Sequence, residues 1–289
     1  MFDTTKYFPR SIESEHPSQL ESDDSTFLDN PVTYDMVHDL QGNPLDLKDA
    51  EVASVSEANA QESETTETVE SAEATLAPSP QLMIIFGEGD INSALHFLLE
   101  SVHNPFAPNA VAMVLVEERV REEVVKKILP QLHPLAEFVA EHPNFQAAME
   151  KLESSNLEVI KAETSEVAPP LASPIFVCEC THDELGRYPT GVVTFHTFRC
   201  NIEAIDICHR ETLPFASVSI WNESLHGCYE LAVALDSPHF FMNCTNIDLT
   251  PIAKDLEGEN NTVVIEKGFH FETLRIYNKF KSIVFPLGN

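Results

Sequence analysis

From residue 81 onward, apolar blocks alternate with polar breaks. Leu82–Phe86 is an uninterrupted apolar run that stops at Gly87-Glu88-Gly89, which predicts a buried strand, a tight turn and a helix over Ile91–Val102 capped by Asp90. A second run, Ala110–Val116, predicts another strand. Val120, Val124, Val125, Ile128 and Leu129 then form one stripe on a helix that opens with Glu117-Glu118 and closes near Lys126-Lys127. Pro130 and Pro134 end that pattern, and a helix over Phe145–Glu153 and a strand over Leu157–Lys161 follow. Beyond a polar linker, Ala162–Pro170, the pattern predicts strands Ile175–Cys180 and Val192–Phe195, helix Ile202–His209, strand Phe215–Ile220, helix Leu225–Leu235 and strand Phe240–Cys244. Lys254–Thr262 reads as a charged surface loop, Phe269–Tyr277 as a short helix and Lys279–Phe285 as a terminal strand. Repeated strand–helix–strand units predict an α/β fold with a mostly parallel sheet and helices on both faces.

Charge changes the picture for the first 80 residues. They hold 18 Asp and Glu against Lys6, Arg10 and Lys48, and Ser, Thr, Glu and Ala dominate from Glu51 to Pro80. Such a chain repels itself and has little to bury, so 1–80 is expected to be a disordered acidic tail and 81–289 the folded domain. The whole chain carries a net charge of −30. That leaves no basic footprint for phosphates and argues against nucleic acid or anionic membrane as a partner. No charged-then-apolar leader opens the sequence and no run approaches the length of a membrane span, so a cytoplasmic protein is expected. Its six cysteines are then reduced thiols.

Several strings resemble the catalytic domain of the aldehyde dehydrogenase superfamily. EAIDICHRETLPFASVSIWNESLHGCYELAVALDSPHFFMNC, Glu203–Cys244, is similar to that family's succession of acidic-alanine helix, small-residue strand, helix and strand ending in Val-Asn. VLVEERVREEVVKKI from Val114 resembles the strand and helix after the family's nucleophile loop. FETLRIYNKFKSIVF from Phe271 resembles its closing tyrosine segment and oligomerisation strand. The blocks keep their order over residues 82–289, and the likeness is strongest to an uncharacterised branch described from insects. The resemblance implies an aldehyde-dehydrogenase-like domain whose terminal strand joins a neighbour's sheet.

The departures concern chemistry. The family's nucleophile is a cysteine in Asn-Gln-Gly-Gln-x-Cys, where this chain reads Asn104-Pro105-Phe106-Ala107-Pro108-Asn109, placing Pro108 or Asn109 at the nucleophile position. Thr75-Leu76-Ala77-Pro78 holds nothing like the family's Glu-Leu-Gly-Gly base segment. Leu185-Gly186-Arg187-Tyr188-Pro189 replaces its cofactor-contacting Glu-x-Phe-Gly-Pro, and the acidic tail stands in place of its nucleotide-binding domain. The expectation is a non-catalytic relative, a pseudoenzyme with no catalytic residue, no cofactor and no metal. It would assemble with itself or a related subunit through Lys279, Phe280, Ile283 and Phe285, which would otherwise form an exposed apolar edge. The alternatives are a residual NAD(P)-dependent oxidoreductase or thioesterase working with a partner subunit, and a docking role for the acidic tail.

Four local features have a sharp and a bland reading. Gly87-Glu88-Gly89 lacks the third glycine of a dinucleotide loop and leads into Asp90, which would repel a pyrophosphate, so it reads as an ordinary turn. Cys178-Glu179-Cys180-Thr181-His182 has the wrong spacing for zinc. In a strand Cys178 and Cys180 would share one face as small core residues. Cys208, on an apolar helix face, reads as inert. Trp221 reads as a packing anchor at a strand end, with a retained ligand pocket as the alternative.

Overall fold

The computed structural model describes residues 79–162 and 173–288. The acidic segment up to residue 78 and most of the linker Ala162–Pro170 lie outside the described residues.

The first apolar run is β1 (Gln81–Ile85), buried along its whole length. After the glycine turn comes α1 (Ile91–His103), whose Asp90 cap accepts the Ser93 N–H at 3.1 Å and the Ser93 hydroxyl at 2.6 Å. The second run is β2 (Val111–Glu117), followed by a short 3-10 turn and α2 (Arg121–Ile128). A small helical region, α3 (Glu137–Ala140) and α4 (Pro143–Ser154), precedes β3 (Val159–Ile160), β4 (Phe176–Cys178), α5 (His182–Leu185) and β5 (Val193–Phe198). Then follow α6 (Asn201–Arg210), β6 (Ser217–Trp221), α7 (Leu225–Ala234), β7 (His239–Met242) and α8 (Ala253–Glu257). The chain closes on β8 (Thr262–Glu266), β9 (Phe269–Ile276) and β10 (Lys279–Pro286).

The ten strands of the described residues form one sheet in the order β3-β4-β5-β2-β1-β6-β7-β10-β9-β8. From β4 to β10 every neighbouring pair is parallel, while β3 at one margin and the β8–β9 hairpin at the other run antiparallel. Side chains alternate across the sheet. Met83, Ile85 and Val114 pack under α1 and α2, and Leu82, Ile84, Met113 and Leu115 pack under α6 and α7. The expected α/β architecture, parallel and covered on both faces, is therefore the observed one.

The glycine turn is held by close approach. A Cβ on Gly89 would stand 2.3 Å from the Trp221 carbonyl oxygen, where only a bare backbone fits. The Gly87 N–H donates to the Glu117 carboxylate at 2.8 Å, and Arg119 neutralises that carboxylate at 2.7 Å. The Gly87 N–H is thus already taken by an internal carboxylate.

The C-terminal region corrects three expectations. Phe269–Tyr277 is not a helix but β9. Phe269 and Phe271 face one core and Leu274 the other, a two-residue period that an extended strand satisfies and a helix cannot. Lys254–Thr262 is not wholly loop, since α8 and the start of β8 enter it. Both central residues of the β8–β9 turn have positive φ, Lys267 at 50° and Gly268 at 82°, the conformation that matches strand twist in a two-residue hairpin. Nor is the terminal strand an exposed edge. β10 lies inside the sheet between β7 and β9, Ile283 is fully buried and Phe285 stacks on His270 at 4.4 Å, while Lys279 and Phe280 pair across to Ile276 and Arg275. The margin on this side of the sheet is β8, where Val263 and Ile265 are 61% and 65% exposed.

A buried histidine–carboxylate contact fastens α5 to the end of α6. Glu211 accepts from the His182 ring Nδ1 at 2.9 Å and from the backbone N–H groups of His182, Thr212 and Leu213. Burial alone would raise the Glu211 carboxyl, but the His182 side chain and these N–H groups outweigh it and lower it to about 2 from 4.5. A depressed carboxyl stabilises the fold above its unfolded value, and the contribution is lost as pH falls from about 4.5 toward 2. Glu211→Gln should cost about 1–3 kcal/mol at pH 7, with the difference from the parent shrinking below pH 4. Urea denaturation at pH 7 and pH 3 checks this, and equal stability of the two proteins at pH 7 would contradict it.

Candidate functional site

The loop that the resemblance aligns with a nucleophile runs from the end of α1 to the start of β2, at the end of the sheet where the parallel strands begin. It is built from short backbone bonds. Asn104 N–H reaches Glu100 and Ser101, Ala107 N–H reaches Asn104, and Ala110 N–H reaches Ala107. Asn109 sits at φ 58°, a left-handed conformation that asparagine tolerates. The Ser101 hydroxyl accepts the Val111 N–H at 3.2 Å and fixes where β2 starts.

Beneath this loop is a cavity of about 300 Å³ bordered by Gln81, Phe97, Ser101, Asn109, Thr245 and Asn246. Gln81 forms its floor and is 1% exposed. Its amide donates to Ser217 Oγ at 3.0 Å and Asn246 Oδ1 at 3.3 Å, while its carbonyl accepts the Thr245 hydroxyl at 2.9 Å. These polar groups satisfy one another. The structure brings both Pro108 and Asn109 to this cavity, and neither supplies a thiol, an imidazole or an amine to it. Thr75–Pro78 lies outside the described residues.

Trp221 sits elsewhere. It closes β6 opposite Ile85, whereas Ser217 at the cavity end begins that strand. Its ring is 2% exposed and stacks on Phe97 at 6.0 Å, so Phe97 stands between the tryptophan and the cavity. This is the anchor geometry expected of a lone strand-end tryptophan.

The cysteines are dispersed. Cys178 and Cys180 do not share a face. Glu179 between them has φ 52°, which breaks the strand's alternation, so Cys178 packs under α1 and α2 while Cys180 packs against α4 and α5. Burial pushes the Cys178 thiol up to about 11 and those of Cys180, Cys208, Cys228 and Cys244 up to about 12, which keeps them protonated and poorly nucleophilic. Cys244 adjoins Thr245 but points away from the cavity, its sulfur 3.5 Å from the Val284 carbonyl oxygen. Cys200 is exposed, ahead of α6 at the sheet's other end. Among the described residues no three His, Cys, Asp or Glu side chains converge to hold a metal.

The segment Leu185–Pro189 does not fit a nicotinamide cofactor in the manner of the resembled family. It carries no carboxylate, Tyr188 packs its ring 5.9 Å from that of His182, and the Pro189 carbonyl accepts from Asn144. Two histidine–carboxylate contacts, His182 with Glu211 and His196 with Glu179, had no signature in the sequence. Their members stand 29 and 17 residues apart, and only the fold joins them.

The family model described as Protein of unknown function (DUF1487) matches residues 76–289, most of the chain. The chain belongs to the DUF1487 family. No curated protein matches it. Among solved structures, this DUF1487 chain is similar to PnpE from Pseudomonas sp. WBC-3, crystallised with nicotinamide adenine dinucleotide, at 13% identity and TM-score 0.50, covering 60% of this chain and 40% of that one. It is also similar to an aldehyde dehydrogenase from Bartonella henselae (15% identity, TM-score 0.48, covering 60% and 41%) and a putative aldehyde dehydrogenase from Burkholderia cenocepacia (17%, 0.47, covering 58% and 40%). The fold of the DUF1487 region is aldehyde-dehydrogenase-like. The chain spans about 40% of the length of these structures.

The distribution of thiols predicts one fast reaction with 5,5′-dithiobis(2-nitrobenzoate) per native chain, abolished by Cys200→Ser, with the other five cysteines reacting only on unfolding. A fast phase that survives Cys200→Ser would contradict this.

Proposed function

We propose that this DUF1487 protein is a non-catalytic, aldehyde-dehydrogenase-like protein that works in the cytoplasm by binding or assembly. The observation that carries the reading is the Asn104–Ala110 loop. Where the resemblance requires an activated cysteine, the loop offers Pro108 and Asn109, and on the cavity floor Gln81, Ser217, Thr245 and Asn246 spend their hydrogen bonds on each other. Acyl transfer through a thioester needs a thiolate within reach of the substrate carbon, and five of the six thiols are held protonated by burial away from that cavity.

Assembly is assigned to the C-terminal three-stranded unit, with the contact moved from β10 to β8, the marginal strand on the far side of β9. An edge strand presents unpaired N–H and C=O groups to a partner, and Val263 and Ile265 add apolar surface beside them. The partner is a second copy or a related subunit that adds its own edge strand.

Sedimentation velocity on the full chain should show a concentration-dependent oligomer that Val263→Lys with Ile265→Lys reduces to monomer, while unfolding stability changes by no more than about 0.5 kcal/mol. A parent protein that is monomeric at every concentration would remove the assembly reading. Turnover of aldehydes or acyl thioesters, with or without NAD(P), that is abolished by alanine at one cysteine would remove the non-catalytic one.

A further inference from the structure

The marginal strand β8 carries its unpaired backbone groups at fixed positions. The Thr262 N–H is turned toward β9, where it donates to the Thr273 hydroxyl at 3.0 Å. At the other end, the residues flanking a two-residue hairpin turn, here Glu266 and Phe269, form a hydrogen-bonded pair. Bonding alternates along an antiparallel strand, so Thr262, Val264 and Glu266 bond inward to β9, and the N–H and C=O groups of Val263 and Ile265 point outward. Among the described residues no loop or side chain bonds to those four groups. The opposite margin, β3, is two residues long and offers far less.

The side chains follow the same alternation. Val263 and Ile265 lie opposite Glu272 and His270 on one face of the sheet, both largely exposed, while Val264 turns to the other face and packs toward Ile252 and Phe271. No lysine or proline blunts residues 262–265. The strand is therefore symmetrical about Val264, with one outward-bonding apolar residue on each side.

An antiparallel partner must present donors and acceptors at the same two-residue spacing, and a second β8 does so. With a twofold axis at Val264, Val263 faces Ile265 of the partner subunit, and each such pair exchanges two hydrogen bonds. Four exposed apolar side chains then meet on one face, and the two Glu266 carboxylates stand at opposite ends. Moving the axis to Val263 sets Ile265 against an asparagine, and moving it to Ile265 sets Val263 against a lysine.

We propose that two copies of this chain pair antiparallel through β8 about an axis at Val264, joining their sheets edge to edge. This rests on the assembly reading above and commits it to a second copy and one register.

The test is disulfide cross-linking of the full chain carrying Cys200→Ser, which removes the exposed native thiol. Across the axis the two Val264 residues form a non-hydrogen-bonded pair with Cα atoms about 4.5 Å apart, within disulfide reach, whereas the two Val263 residues are two positions out of register and beyond about 7 Å. Val264→Cys should give a covalent dimer on oxidation with diamide, at least tenfold faster than Val263→Cys or Ile265→Cys alone. A mixture of the Val263→Cys and Ile265→Cys chains should cross-link where neither does by itself, and because both positions are exposed this comparison decides even if Val264→Cys fails to fold. Sedimentation of the parent separates the two levels of the account. An oligomeric parent that gives none of these cross-links, or in which Val263→Cys alone cross-links as fast as Val264→Cys, would overturn the register proposed here, and a monomeric parent would remove it together with the assembly reading.

Discussion

The C-terminal part of this fold hangs on a buried lysine. Lys281 is 2% exposed, yet its ammonium donates to the carbonyls of Ala232 at 2.7 Å and Leu235 at 2.5 Å and lies 5.2 Å from the centre of the Phe240 ring. A buried charge is tolerable only with partners, and the last carbonyls of a helix, the negative end of its dipole, suit a cation. The contact joins β10 to α7, the helix that packs over the strands beside it. Removing the charge leaves those carbonyls without a donor, and removing the carbonyls leaves an unpaired ammonium in the core.

With β10 fixed next to β7, the remaining geometry follows. β9 returns alongside β10 in unbroken register from Lys279–Ile276 to Pro286–Phe269, and β8 pairs with β9. Tyr229 on α7 adds a bond from its hydroxyl to Glu272 at 2.8 Å, so helix and hairpin are joined twice. After β7 the chain turns back over the sheet toward the start of β1, where Thr245 and Asn246 meet Gln81. The cavity under the Asn109 loop is therefore completed by C-terminal residues, and its polar closure belongs to the same construction that places the terminal strand inside the sheet.

Much of this was legible in the sequence wherever burial was continuous. Leu82–Phe86 and Ala110–Val116 are apolar throughout because parallel strands under two helical layers are covered on both faces, and α1 shows its stripe because only one side meets the sheet. The C-terminal hairpins were harder to read. β8 has one wet face and an open edge, so it lacks an apolar run, and β9 splits its apolar residues between two cores, which blurs both periods. The Lys267-Gly268 pair was the available signal, a hairpin turn between segments rich in β-branched and aromatic residues. The site was legible as a lack of chemistry, in Pro108 and Asn109, whereas the Glu179–His196 contact depends on a single left-handed residue that ends β4 and could not be inferred from spacing.

Native-state hydrogen exchange of the β10 amides, measured over a range of protein concentration, tests most directly whether the terminal strand completes its own chain's sheet. The account predicts that the amides of Lys281–Val284 are protected as strongly as those of β1 and that this protection does not depend on concentration. Amides in β10 that exchange freely in dilute protein and become protected only as concentration rises would contradict it.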